Sequence, residues 1–276
     1  MKIFKLKILN EIQIKCFSDL SASFKMQIPD QWLVLISILS VISSGCKEER
    51  LDELNPFNGK STAVFNPAKV YDTVTDQDGN VYNTITIGTQ TWMAENLRTT
   101  KYRNGVSVPE VTDNAEWLST IEGAYCNYHN SSNSDTIATF GRLYNWYAVS
   151  DSQNIAPVSW HVPSDEEWTT LITYLGGPAL AGEKLKETGI SHWFQNPYAS
   201  NESGFTCLPA GYRYTAEGRF VGLGLITFWW SSTEADTAWH DNPLWASYLY
   251  VQYLERASGR GNWLKEHGFS VRCVKD

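Results

Sequence analysis

The 276-residue chain has no apolar run long enough to span a bilayer. Its longest, residues 32–42, holds eleven residues, whereas a spanning helix needs about 20. No cluster of Lys or Arg occurs either: the 22 basic residues are scattered singly among 30 acidic ones. A chain that binds phosphates needs a positive face, so nucleic acid is not expected as a partner. The five histidines, His129, His161, His192, His240 and His267, show no His-x-x-x-His or His-Glu-x-x-His spacing, and no zinc site is expected. Gly-x-Ser-x-Gly is absent, and no glycine-rich phosphate loop follows a strand; Gly222-Leu223-Gly224 reads as a turn. There is no internal repeat. These absences leave no cofactor or metal to expect and no enzyme chemistry to read.

Aromatic residues, in contrast, are plentiful. Of twelve Trp only Trp32 precedes residue 46, so eleven belong to the rest of the chain. Rings in that number serve either as packing plugs or as planes that stack on a ligand such as a sugar.

An apolar run of eleven suits the core of a signal peptide, which needs about 7–15 residues. Ser43-Ser44-Gly45-Cys46 follows it and resembles the lipobox of bacterial lipoproteins, in which the cysteine is acylated and the leader removed. Cys46-Lys47-Glu48-Glu49 resembles the surface-export signal of Bacteroidetes lipoproteins. The expectation is a leader over 1–45, a lipidated tether over 46–70 and a domain over 71–276. The protein would then be anchored to the outer membrane through Cys46 and exposed at the cell surface. Three acyl chains anchor durably, since each buried CH₂ contributes about 0.8 kcal/mol. Translation from Met1 or from Met26 stays open, and the alternative for the run is a buried helix. Removing the leader's five Lys and three acids from the totals leaves 17 basic and 27 acidic residues, a net charge of −10. The stretch 48–69 holds Asn55-Pro56, Asn58-Gly59 and Asn66-Pro67 with no sustained period, the pattern of a linker.

Beyond Tyr71 periodic patterns begin. A turn at Asp76-Gln77-Asp78-Gly79-Asn80 precedes alternating Val81, Asn83, Ile85 and Ile87, a half-buried strand. A calcium loop is the weaker reading of that turn, because the twelfth position from Asp76 is Ile87 rather than Glu. Residues 140–149 read as a short buried helix carrying Leu143, Trp146 and Tyr147. Ser164 followed by Glu167 is a capping box; Trp168, Leu171, Ile172 and Leu175 form one apolar stripe, and Gly176-Gly177-Pro178 ends it. A second helix is expected over 179–187, weakened by Gly182. After Gly189 come strand candidates at 204–208, 212–214, 227–232, 245–253 and 268–274. Helices in the middle with short strands at both ends indicate an α+β domain with paired termini.

The ordered motifs Gln90-x-Trp92-Met93-Ala94-Glu95-Asn96-Leu97, Gly141-Arg142-Leu143-Tyr144-Asn145-Trp146, Trp160-His161-Val162-Pro163-Ser164, Trp229-Trp230-Ser231-Ser232-Thr233-Glu234 and Gly268-Phe269-Ser270-Val271-Arg272-Cys273-Val274 closely resemble the Fibrobacter succinogenes major paralogous domain. The resemblance covers about residues 72–276. It implies a fold similar to C-type lectins and formylglycine-generating enzymes, and no activity. Two departures from the family pattern, Ala156 where a cysteine is usual and Cys207 where a small residue is usual, imply a Cys207–Cys273 disulfide with Cys126 unpaired; Cys126 with Cys273 is the alternative. His161, ahead of a helix, reads as a hydrogen-bonded structural residue.

Between Phe228 and Trp263 rings and carboxylates are densest. Candidate ligand contacts are Trp230, Glu234, Trp239, Asp241 and Trp245, with Trp263 as a flank. Because Trp229 and Trp230 are adjacent in a strand, at most one should lie fully in the core. The reading is a non-catalytic binding or adhesion module whose partner is glycan or another surface protein. An enzyme related to the formylglycine-generating type and a purely structural surface component remain as alternatives.

Overall fold

Residues 59–235 and 244–276 are described by a computed structural model. In chain order the elements are β1 (Asp72–Thr75), β2 (Val81–Ile87), β3 (Gln90–Met93), α1 (Asn114–Ser119), β4 (Tyr125–Cys126), α2 (Ser134–Phe140), β5 (Leu143–Tyr144), α3 (Trp146–Ser150), β6 (Trp160–His161), α4 (Asp165–Tyr174), α5 (Pro178–Leu185), β7 (Ala210–Arg213), β8 (Phe220–Leu223), β9 (Ile226–Glu234), β10 (Trp245–Gln252), β11 (Ser258–Leu264) and β12 (Val274–Lys275). Short helices with largely antiparallel strands make this an α+β domain.

Local chemistry sets the first hairpin. The Asp76 carboxylate accepts the N–H groups of Asp78 and Asn80, both at 2.9 Å, and the Tyr82 hydroxyl at 2.6 Å. With its oxygens occupied in this way the residue closes a turn, as the spacing predicts. Four of the five helices start on a side chain that accepts a backbone N–H: Asp113 for α1, Asn133 for α2, Asn145 for α3 and Ser164 for α4. Ser164 and Glu167 form the expected reciprocal box, and Trp168, Leu171 and Ile172 bury the stripe. Pro178 does not merely end α4; it opens α5.

Two five-stranded sheets result, ordered β1-β2-β3-β12-β6 and β11-β10-β9-β7-β8, with β4 and β5 as a separate pair. The C-terminal strand slots between β3 and β6, with Val274 opposite Trp92 and His161, so the termini of the domain are indeed paired. Across the second sheet only β7 and β9 are parallel. Apolar residues of α4, α5 and both sheets join in one core cluster around Trp92, Trp168, Phe205 and Trp229. A second cluster gathers Tyr144, Trp146, Phe228, Trp230 and Phe269.

Several expectations are corrected. The predicted helix over 140–149 is broken into α2, β5 and α3. Gly141 sits at φ +76°, and a Cβ there would lie 2.6 Å from Asn96 Cβ, so the chain reverses where a helix would continue. Residues 268–274 run extended but pair mostly through isolated bridges, Tyr144 with Phe269 and Trp229 with Ser270. Trp229 and Trp230 are both fully buried. They do face opposite ways, but both faces of β9 are covered: Trp168 lies 6.0 Å from Trp229 and Phe269 lies 4.3 Å from Trp230. Residues 59–64, within the stretch expected as tether, hydrogen-bond to the domain. Gly59 N–H donates to Asp135, Thr62 bonds Thr139 and His192, and Val64 N–H donates to Glu187. The Cys207–Cys273 disulfide is not formed, nor is the alternative. All three described cysteines are free and buried, each in a different core cluster.

Candidate functional site: an aromatic sheet face

The motif residues that make the sequence resemblance meet in one buried polar hub. Asn96 Oδ1 accepts Trp229 Nε1–H at 2.9 Å and Arg272 Nε–H at 2.7 Å, while its Nδ2 donates to the Phe140 carbonyl and to Ser270. The Arg272 guanidinium also donates to the carbonyls of Met93, Phe205 and Thr206 and lies 4.3 Å over the Phe205 ring. Burial lowers its pKa to about 10, so it stays charged at neutral pH. All three nitrogens of this cation donate to the protein itself. Arg213 and Lys186 repeat the pattern, donating to the carbonyls of Val111, Thr112 and Asp113 and to those of Tyr253 and Glu255. These are internal brackets for loops, although Arg213 Nε keeps no partner among the described residues.

The second sheet offers a different surface. In the register of β10 against β11, Tyr248 stands opposite Gly261 and Tyr250 opposite Gly259. A Cβ at Gly259 would come within 2.2 Å of the Tyr250 ring, and one at Gly261 within 2.6 Å of the Tyr248 hydroxyl. The missing side chains thus let both rings lie across the neighbouring strand. Tyr212 of β7, Tyr214 beyond it and Trp263 of β11 continue the layer, with ring centroids 5.8–6.2 Å apart in the pairs Tyr214–Trp263, Tyr212–Trp263, Tyr248–Trp263 and Tyr248–Tyr250. All five rings are partly exposed, whereas Phe228 and Phe269 beneath them are buried. No hydroxyl of the four tyrosines has a hydrogen-bond partner among the described residues. Burial pushes the Tyr212 and Tyr248 hydroxyls up from their ordinary value, so they remain protonated donors. Gln252, two residues beyond Tyr250 in β10, falls on the same face.

His267 closes one end of the layer. Its ring stacks on Trp263 at 4.2 Å, and Nδ1 lies 3.1 Å from the Leu264 carbonyl. Nε2 has no partner among the described residues. Burial pulls its pKa down to about 4, more than the Leu264 bond raises it, so the ring is neutral at physiological pH.

A family model described as the Fibrobacter succinogenes major domain matches residues 85–275. The chain belongs to that family. No curated protein and no solved structure matches it significantly, so membership in the Fibrobacter succinogenes major domain family brings neither a ligand nor a reaction with it.

Set against this face, the sequence candidates for ligand contact scatter. Trp263 lies in the aromatic layer. Trp230 has no exposed surface and donates Nε1–H to the Tyr144 carbonyl at 2.9 Å, so it is a core plug. Glu234, at the end of β9, is half-exposed and ion-paired with Lys265. Trp245 pairs with Leu264 and is one residue out of phase with Ala246 and Trp263, which puts it on the opposite face. Cys46, Trp239 and Asp241 lie outside the described residues. Tyr212, Tyr214, Tyr248, Tyr250 and His267 were not among the candidates. Their signal was present as Tyr-x-Tyr in one strand and Gly-x-Gly in the next, but the pairing that superposes them is not written in either strand alone.

The remaining chemistry is structural. His161 bridges Asp276 through Nδ1 and Glu167 through Nε2, both at 2.7 Å, and so ties the C-terminus to the capping box. Burial pushes the thiol of Cys126 up to about 12 and those of Cys207 and Cys273 higher still, the opposite of what a nucleophilic cysteine requires. Among the described residues no group of three or more His, Cys, Asp or Glu is placed to hold a metal, and no helix is long and apolar enough to cross a membrane.

Proposed function

We infer that the chain is a lipid-anchored, surface-exposed binding module without catalytic activity. Its ligand lies on the face formed by Tyr212, Tyr214, Tyr248, Tyr250 and Trp263, and that ligand is a glycan. One observation carries the reading: five partly exposed rings in one layer present four phenol hydroxyls that bond nothing among the described residues. Rings stack on the apolar faces of sugars while their hydroxyls take the ligand's polar edges, and each stacking contact is worth on the order of 1 kcal/mol. A stacked nucleobase would use the same planes, but a strand of nucleic acid also needs a cationic groove, which a domain of net charge −10 does not favour. The formylglycine-generating alternative requires two cooperating thiols, and the three here occupy separate core clusters with their thiolates disfavoured.

Screening the purified domain on a glycan array tests the reading. Binding is expected to be weak for monosaccharides and stronger for oligomers that cover several rings. An array without a single reproducible hit, alongside a correctly folded sample, contradicts it. The anchor is tested separately: cells expressing the wild type should incorporate labelled palmitate, and Cys46→Ala should not.

A further inference from the structure

A second exposed apolar surface lies where the chain enters the domain. Ile190, Phe194, Leu223, Leu225 and Tyr253 line a groove of about 720 Å³ with the buried Trp193 at its base. Ile190 is 75% and Phe194 69% exposed, and no charged side chain lines the groove apart from the ionisable His192. The groove is held open by main-chain bonds: Phe194 N–H donates to the Gly224 carbonyl at 2.8 Å and Tyr253 N–H to that of Leu225 at 2.9 Å. Apolar side chains gathered along one groove offer a contact surface that the singly exposed ones do not.

The course of the chain identifies the partner. Thr62 Oγ1 sits 2.9 Å from Nε2 of His192, itself a groove residue, so the domain begins beside the groove. Cys46 precedes Gly59 by thirteen residues. Thirteen residues span at most about 45 Å. An acyl anchor at Cys46 keeps the start of the domain, and the groove beside it, within about 45 Å of the bilayer. We propose that the groove rimmed by Ile190, Phe194, Leu223 and Leu225 seats on the lipid surface and orients the domain. The proposal rests on the lipoprotein reading above. In the register of β10, Gln252 at the groove end pairs with Ile226, while Ala246 at the far end pairs with Trp263. Seating the groove therefore leaves the Trp263 end of the aromatic face turned outward.

The test uses the chain from Cys46 onward, coupled through that thiol to a maleimide phospholipid in vesicles of phosphatidylethanolamine and phosphatidylglycerol. It therefore does not depend on acylation in cells, which palmitate labelling reads independently. Hydrogen exchange at residues 189–194, 222–226 and 253–254 should slow severalfold on anchoring, while segments around the exposed Val158 stay unchanged. The double variant Ile190→Ser/Phe194→Ser should abolish that protection and leave the melting temperature near wild type. Unaltered exchange on anchoring overturns the proposal. So does protection that grows with protein concentration in the absence of vesicles, which would make the groove a contact between two copies of the chain.

Discussion

Two regions of this domain use aromatic and polar residues in opposite ways. The side-chain polar atoms of Asn96 and Arg272 all bond within the protein, and the rings beside them are covered. Along Tyr212, Tyr248, Tyr250 and Trp263 the rings are half-covered, and the hydroxyls have no partner among the described residues. The first region contains the motifs by which the sequence is placed in its family; the second contributes little to them. A family signature can therefore mark what builds a fold rather than what it recognises, and satisfaction of hydrogen bonds separates the two.

The largest effect expected from this contrast is on stability. Arg272→Ala takes the guanidinium donor from the carbonyls of Met93, Phe205 and Thr206 and leaves the Asn96 amide oxygen with Trp229 Nε1–H alone. Removing one partner from a buried charged network costs about 3–5 kcal/mol, so thermal melting should show a much destabilised or unfolded domain. Arg272→Lys should not restore it, since an ammonium cannot reach the same set of acceptors. A near-native melting temperature for Arg272→Ala would remove the hub from the account.

Next in size is a pH effect at the edge of the aromatic face. With the folded His267 pKa held to about 4 and an unfolded value near 6.5, the unfolded chain takes up the proton first. The contribution of neutral His267 is present above about pH 6.5 and is lost as pH falls toward 4, in total about 3 kcal/mol. His161 acts in the other direction. Burial lowers its pKa, but the bonds to Asp276 and Glu167 outweigh that and raise it, so its contribution is present below its ordinary value and fades as pH rises through the folded one. Melting curves between pH 4 and 8 should show a decline on acidification that His267→Phe flattens. An unchanged slope in that variant would detach the ring from the effect.

Much of the scaffold was legible in the sequence because it depends on local rules. The Ser164–Glu167 box, the Asp76 turn, the β2 alternation and the apolar stripe of α4 each involve neighbours within a few residues. What stayed hidden was set by long-range covering. Trp229 and Trp230 both vanish into the core because Trp168 and Phe269 approach β9 from opposite sides. Residues 59–70 look like a linker, yet Asp135, Thr139, Glu187 and His192 bind them. The candidate site was half-legible for the same reason. The segment 228–263 holds Tyr248, Tyr250 and Trp263 but not Tyr212, Tyr214 or His267, and density of Trp does not tell which ring is capped by another strand. Of the described tryptophans eight are buried and only Trp245 and Trp263 are partly exposed, so the open surface falls mainly to tyrosine.

The smallest expected effect is a null response to reductant. A native disulfide typically contributes about 2–4 kcal/mol, but Cys126, Cys207 and Cys273 are free and buried. Dithiothreitol should leave the melting temperature unchanged, and the three thiols should react with a thiol reagent only after denaturation. A clear drop in melting temperature on reduction would mean that the cysteines are cross-linked after all.

The division between a structural hub and a recognition face is tested most directly by one paired measurement on Tyr248→Ser/Tyr250→Ser. Affinity for an array-positive oligosaccharide and the denaturation midpoint are read on the same sample. The account predicts that binding falls by about tenfold or more, as the loss of two stacking contacts of roughly 1 kcal/mol each implies, while the domain still unfolds cooperatively with its hub intact. Wild-type affinity in the double variant would contradict it and place recognition elsewhere.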